Sequence, residues 1–188
     1  MSVTRPIRLF YLLYISKPQT DRLIYRAIDR SRIASIVELG VGKAQRALRM
    51  IEVASRHVPP GQVSYVGVDL FEDRSLGDAA GTGISLKAAY RLLRSRGARA
   101  RLLPGDPDSA LARAANHLAK ADLLVVSSGL PVASLARAWY YLPRILHAKS
   151  HVFVEKTAGP SGQTTIYRLS LDQVHLLATK AARLRRAA

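Results

Sequence analysis

Short apolar runs alternate with amphipathic stretches along this chain. Ala34 to Leu39, Gln62 to Asp69, Arg99 to Leu103, Asp122 to Val126 and His151 to Glu155 are compact, largely β-branched or leucine-rich runs bounded by turn residues. That is how strands buried on both faces read. Between them, apolar positions recur at helical spacing. Asp21 to Arg30 carries Leu23, Ile24, Ala27 and Ile28 on one face, and the stretch from Lys43 to about His57 carries Ala44, Ala47, Leu48 and Ile51. Ser85 to Arg96 reads as a helix stopped by Gly97. Asp106 is placed to cap a helix with Pro107 at its first position, running to about Leu118. Val132 to His147 also has helical spacing, with Pro143 expected to kink or divide it. Thr164 to Leu169 alternates as one more strand, and Ser170 with Gln173 forms a capping box for a last helix that ends in Lys180, Arg183, Arg185 and Arg186.

Strands alternating with helices predict an α/β fold: a Rossmann-like three-layer α/β/α sandwich around a mostly parallel sheet. The chain has length for only one obvious strand after the fifth, so the sheet is expected to be reduced at its C-terminal edge. The whole of 1–188 reads as a single domain. Residues 1–32 form an N-terminal helical extension, 33–156 the core, and 157–188 the final strand and basic helix. Phe71 to Gly83 is a polar loop containing Gly77, Gly81 and Gly83, suited to a mobile lid or substrate-side loop. Thr157 to Gln163 reads as a turn.

Near the N-terminus, Arg5 and Arg8 precede the apolar run Leu9 to Ile15. The run is too short to span a bilayer. Lys17-Pro18 follows it instead of a small-residue cleavage site. It therefore reads as a packing element, with a cleaved signal as the alternative, and the protein as cytoplasmic and without a membrane partner.

Composition narrows the class. With 188 residues and 48% hydrophobic content the chain can bury a proper core. It has no cysteine, which excludes disulfides and thiolate metal sites. The net charge of +16 attracts nucleic acid, anionic membrane or acidic substrates. The arginines, however, are spread along the whole chain, and the 6% of aromatic residues do not interleave with a basic cluster. A solvated basic surface is the favoured reading and nucleic-acid binding the alternative.

The candidate chemistry lies at the ends of the first three strands. Ser35-Ile36-Val37-Glu38-Leu39-Gly40-Val41-Gly42 is a strand ending in an acid and a glycine loop, and Tyr65-Val66-Gly67-Val68-Asp69 is a second strand ending in an acid. Open α/β sheets hold an adenosine-bearing ligand at the carboxyl ends of their strands in this way. Gly40 and Gly42 allow close backbone approach, and Asp69 sits where a carboxylate accepts hydrogen bonds from both hydroxyls of a ribose. The dinucleotide fingerprint G-x-G-x-x-G fails at Gln45, and the phosphate loop G-x-x-x-x-G-K-[ST] is absent. Asp69 follows Gly40 by 29 residues, more than the roughly 20 of dinucleotide folds. Glu38 is poor company for a pyrophosphate and good company for a ligand carrying an ammonium and a sulfonium. These features favour S-adenosylmethionine (SAM) over NAD.

Here the chain resembles the class I SAM-dependent methyltransferases, from about Ile33 to Glu155. Glu38 to Gly42 looks like their first motif, with Ala44 where many members have a third glycine. Asp69 matches their ribose-binding acid. Leu103-Pro104-Gly105-Asp106 looks like the third-strand motif, whose acid lies near the adenine amino group. Within the class, Gly105 to Leu111 and Ala121 to Val126 are most similar to the macrocin and catechol O-methyltransferase-like group. The resemblance implies SAM as cofactor, S-adenosylhomocysteine as product, and Glu38, Gly40, Gly42, Asp69, Gly105 and Asp106 as cofactor-binding residues.

The same resemblance fails at the metal. Catechol-type relatives hold a divalent ion with an acid ending strand four and an acid and amide ending strand five. The matching positions here are Ser127, Glu155 and Lys156, and one carboxylate beside a lysine makes a poor magnesium site. No metal is expected. Glu155 and Lys156 are the candidates for a catalytic base, against a plain surface ion-pair role. His57, His117, His147 and His151 sit at ends facing away from the cofactor side, and Tyr11 and Tyr14 either fold over the site or belong to the core. Three functions follow: a metal-independent methyltransferase for a small molecule; a non-catalytic SAM- or nucleoside-binding protein; and an RNA methyltransferase using the basic surface.

Overall fold

The computed structural model describes residues 4–59, 61–73, 83–158 and 163–186. Six strands form one sheet in the order β3-β2-β1-β4-β5-β6. They are β1 (Ser35–Leu39), β2 (Ser64–Asp69), β3 (Arg99–Pro104), β4 (Ala121–Val126), β5 (Leu146–Ala158) and β6 (Gln163–Leu169). The first five are parallel, and β6 returns antiparallel along β5. The helices are α1 (Thr4–Phe10), α2 (Asp21–Ser31), α3 (Gln45–Ala54), α4 (Leu86–Ser95), α5 (Pro107–Ala114), α6 (Val132–Ala138) and α7 (Leu171–Arg186).

Alternate residues of the central strands feed two separate cores. Ile36, Tyr65, Leu123 and Phe153 face a core with Ile24, Tyr25 and Ile28 of α2, Ala47, Met50 and Ile51 of α3, and Leu93 of α4. Val37, Val68, Leu124 and Val152 face the other, with Ala110 and Leu111 of α5, Ala138 of α6, and Val174 and Ala181 of α7. Each large apolar side chain fully buried here contributes about 1.5–3 kcal/mol. The central strands β1, β2 and β4 are buried on both sides because βα crossovers cover both faces, whereas the edge strand β3 has no buried residue. This is the three-layer arrangement expected from the sequence, with the single extra strand at the β5 edge.

Several boundaries differ from the sequence reading. Val132 to His147 is not one helix. α6 ends at Ala138, a 3-10 turn covers Leu142–Ile145, and Leu146 already begins β5. Pro143 lacks the N–H needed to carry the helix on. Leu146 instead pairs with Ala121, and a bulge before the Leu123–His151 pair is closed by Ser150, whose Oγ accepts from the His147 N–H and donates to the Ala121 carbonyl. Thr157 lies within β5, and Gln163 starts β6. At the N-terminus, α1 passes into a π-helical turn over Tyr11–Ile15. Leu12 and Leu13 are buried, but Ile7, Phe10, Tyr11, Tyr14 and Ile15 are exposed, so only part of that run packs. Gly77 and Gly81 of the proposed lid lie outside the described residues. No helix among the described residues is long and apolar enough to cross a membrane.

Asp122 ties the opposite end of the sheet together. Its Oδ2 accepts from the N–H groups of Ala34 (3.0 Å) and Ser35 (2.9 Å), and its Oδ1 lies 3.0 Å from His147 Nε2. These contacts, after the cost of partial burial, hold its pKa below the usual carboxylate value. Asp122→Ala leaves two part-buried backbone donors at the entry of β1 without their acceptor. It is expected to lose about 1–3 kcal/mol, read as a lower urea midpoint with an unchanged slope. The loss should shrink in acid, as the wild-type carboxylate is protonated.

Candidate functional site

The glycine loop leaves β1 with Gly40 at φ +88° and Gly42 at φ +58°, and Ala44 follows at φ +60°. Gly40 is required by packing: a Cβ there would lie 2.8 Å from the Ser127 Cβ. At Gly42 a Cβ would meet none of the described residues within 4 Å, so among them this side of the loop is open. The Gly42 N–H donates to Asp69 Oδ2 at 2.7 Å, and the Leu70 N–H donates to Asp69 Oδ1 at 2.7 Å. Two backbone donors thus fix the orientation of the Asp69 carboxylate at the end of β2. The Gly105 N–H donates to the Asp69 carbonyl at 2.9 Å, which brings the third-strand loop beside the first two. Glu38, Gly40, Gly42, Asp69, Gly105 and Asp106 therefore gather at the carboxyl ends of β1, β2 and β3.

The centre of the site is a residue the sequence reading passed over. Arg46, one position into α3, reaches back across the strand ends. Its Nε donates to Asp21 Oδ1 (2.9 Å), its Nη1 to Ser127 Oγ (3.2 Å) and its Nη2 to Glu155 Oε1 (2.8 Å). Nη1 also lies 4.0 Å from Glu38 Oε1. One guanidinium thereby joins the start of α2 and the ends of β1, β4 and β5. Burial by itself favours loss of the Arg46 charge, but Glu38, Asp21 and Glu155 together outweigh it and raise its pKa. Asp21 is pushed up by burial, partly offset by Arg46. The visible signals were an arginine four positions after Gly42, on the turn that covers the strand ends, and an acid opening α2.

Glu38 lies one layer below the position the sequence reading gave it. It is 1% exposed, accepts a 2.5 Å hydrogen bond from the Tyr65 hydroxyl and sits under Arg46. Gly67 pairs with it across the sheet. Burial drives its pKa up to about 7, against the opposing pull of Arg46 and Tyr65. Asp106 is a helix cap. Oδ1 accepts from the N–H groups of Asp108 (3.1 Å) and Ser109 (3.2 Å) and from Ser134 Oγ, and Oδ2 accepts from Ser109 Oγ. Despite partial burial, these donors hold its pKa down to about 2.

The catalytic candidates separate. Glu155 is engaged on both oxygens, by Arg46 and by the Ser128 N–H at 3.2 Å. Lys156 is exposed, and its ammonium lies 5.8 Å from the Tyr167 ring. His57 pairs with Asp29 at 3.0 Å, and His147 with Asp122. His147 stands at the start of β5, not at the end of a helix. Tyr11 and Tyr14 are exposed on the N-terminal segment, outside the core.

The fold and the strand-end geometry can be set beside known proteins. No family model matches the sequence, and no curated protein matches it. Solved structures do. The O-methyltransferase TomG from Streptomyces achromogenes, in complex with SAM, superposes with a TM-score of 0.52 at 12% identity, over 82% of this chain and 66% of TomG. A putative O-methyltransferase from Klebsiella pneumoniae gives 0.52 at 12% identity, over 100% of this chain and 80% of that one. The SAH-bound Podospora anserina methyltransferase PaMTH1 gives 0.52 at 12% identity, over 99% and 77%. The chain has the fold of the class I SAM-dependent methyltransferases. It spans just under two thirds of the length of TomG. The six strands of this methyltransferase fold stand in an order that leaves β6, antiparallel beside β5, at the sheet edge.

The buried acids make stability depend on pH. The folded pKa of Glu38 lies above its ordinary value of 4.5, so the folded state holds that proton more tightly than the unfolded chain. Its contribution is fully present below about 4.5 and is lost as pH rises through about 7. Glu38→Gln keeps the neutral form, so its destabilisation relative to wild type should be smaller at pH 8 than at pH 5 by about 1–3 kcal/mol, measured by urea unfolding at both pH values. Arg46→Met has the opposite sign. It strands three carboxylates and should cost about 3–5 kcal/mol at pH 8, and less at pH 5 where they can take up protons.

Proposed function

We propose that this chain binds S-adenosylmethionine and transfers its methyl group to a small-molecule acceptor without a metal. One observation carries the reading. In a protein of net charge +16, Glu38 and Glu155 at the strand ends and Asp21 at the start of α2 gather around the single guanidinium of Arg46, with Asp69 held by the glycine loop at the end of β2. A negative well inside a positive body selects a ligand with local positive charge, and an ammonium with a sulfonium supplies it. A dinucleotide pyrophosphate would be repelled there.

The residues present fit that group. The open side of Gly42 gives a ligand access to the loop. Asp69, already oriented by Gly42 and Leu70, would accept from the ribose hydroxyls. Gly105 and Asp106 close the adenine side, with the Asp106 carboxylate chiefly shaping the loop through its cap. Glu38 acts from beneath, by holding Arg46 and adding to the negative potential. When bound, SAM supplies a methyl group already activated by its sulfonium.

What remains for the protein is in-line positioning and exclusion of water. Glu155 is committed to Arg46 and Ser128, which disfavours it both as a free base and as a metal ligand. The acceptor is therefore one that reaches the site with its own nucleophilic lone pair. The solved relatives named as O-methyltransferases support an oxygen acceptor.

Calorimetric titration separates this reading from its competitors. Wild type is expected to bind SAM and not NADH, and Asp69→Ala to weaken SAM binding about 10- to 100-fold. Transfer of labelled methyl groups to a panel of phenols, carboxylates and amines should then persist in EDTA. SAM binding without transfer to any of them would favour the non-catalytic reading. NADH binding or no SAM binding would overturn the proposal.

A further inference from the structure

Outside the cofactor site, one surface carries charge that the site does not use. Residues 84–105 hold six basic side chains, Lys87, Arg91, Arg94, Arg96, Arg99 and Arg101, and no acidic one. This run is α4, its turn and the edge strand β3. All six side chains are exposed. Among the described residues, only Arg96 forms an ion pair, with Glu52 at 3.9 Å; Glu72 stands at the start of α4 and accepts from the Leu86 N–H. Elsewhere among the described residues, four arginines meet carboxylates: Arg8 with Glu52, Arg46 with three acids, Arg137 and Arg185 with Asp108; what sets 84–105 apart is six cations in 22 residues with no acid among them. Unneutralised cations on adjoining elements repel one another, and the arrangement is relieved by a polyanion.

The same surface has a shape. Between α4 and β3 lies a hollow of about 470 Å³ lined by Leu86, Lys87, Tyr90, Ala100, Arg101 and Leu102. Its walls are apolar, its rim is cationic, and Tyr90 is 43% exposed beside it, with the Arg94 guanidinium 5.8 Å from its ring. β3 ends the sheet, so the hollow opens at the sheet edge. Lys87, Arg91 and Arg94 recur at helical i, i+4 and i+7 spacing and share one face of α4. The groove also leads to the cofactor side. Leu86 N–H donates to Glu72 Oε1 at 2.8 Å, and the Ile84 N–H to the Gly42 carbonyl at 3.4 Å.

We infer that the α4–β3 groove is a docking surface for single-stranded nucleic acid. Lys87, Arg91 and Arg101 take the phosphates, and Tyr90 stacks on a base seated over the hollow. An acidic peptide would satisfy the charge but leave the apolar hollow and the exposed Tyr90 ring beside it without purpose. An unpaired base fills it, and stacking on an exposed aromatic is how single strands are held without sequence readout. The inference goes beyond the methyltransferase reading and does not depend on it, because none of these residues is assigned to SAM.

The test is fluorescence anisotropy with a labelled 20-nucleotide poly(U) RNA, a matched RNA duplex and polyglutamate as competitor, over a series of salt concentrations. Wild type should bind the single strand, with log affinity falling linearly against log salt. The exposed triple variant Lys87→Glu/Arg91→Glu/Arg101→Glu should weaken binding about tenfold or more and lower the slope by about 2, at roughly 0.7 per phosphate contact. Tyr90→Ala should weaken it about 5- to 100-fold with the slope unchanged. The matched change on α7, Lys180→Glu/Arg183→Glu/Arg186→Glu, should retain most of the affinity. Equal losses in the α4–β3 and α7 triples would show diffuse charge attraction and overturn the site. So would an inert Tyr90→Ala, duplex binding as tight as single-strand binding, displacement by polyglutamate at an equal charge concentration, or no binding at low salt.

Discussion

The guanidinium of Arg46 is the point on which the candidate site is assembled. Four chain segments distant in sequence end at it: the start of α2 through Asp21, β1 through Glu38, β4 through Ser127 and β5 through Glu155. Each carboxylate would be costly to bury alone, and the cation would be costly to bury without them. Such a cluster is weak evidence for net stability, because desolvation consumes much of the Coulomb gain. It is strong evidence for a fixed geometry. The ends of β1, β4 and β5 cannot shift apart without exposing an unpaired buried charge, so the glycine loop that leaves β1 is held against Ser127 and Asp69.

The same cluster sets the electrostatic character of the cleft. Three acids against one cation leave surplus negative charge inside a chain whose remaining surface is basic. The two fields act at different ranges. The basic surface acts through solvent and is damped over about 8 Å at physiological salt. The buried acids act at contact distance in a poorly polarisable surrounding, where charge counts for more. A cation-bearing cofactor and a polyanionic partner are therefore not competing readings. The two proposals concern separate faces, the first at the strand ends and the second along α4 and β3.

Much of the fold was legible because the strands are short, apolar and bounded, and because the helices carry strong periodicity. The Ser170–Gln173 capping box and the Asp106–Pro107 helix start were readable from local chemistry, and both form as expected. The stretch from Val132 to His147 was misread because apolar spacing alone cannot separate a broken helix from a helix, a turn and a bulged strand; the pairing of Leu146 with Ala121 is a tertiary fact. Glu38, Gly40, Gly42 and Asp69 were legible as a group because strand, loop and acid occur in a fixed order. Arg46 and Asp21 were not, because an arginine on a helix and an acid at a helix start read as solvent-facing until the fold turns them inward. For the same reason Glu38 was placed against the ligand, where the structure puts Tyr65 and Arg46.

The account rests on the strand ends of β1, β2 and β3 acting together as one adenosyl site. Hydrogen–deuterium exchange with and without saturating S-adenosylmethionine reads that directly. Protection confined to peptides covering 38–45, 69–72 and 104–109 is the predicted result. No change at these peptides, or protection restricted to α4 and β3, would contradict it.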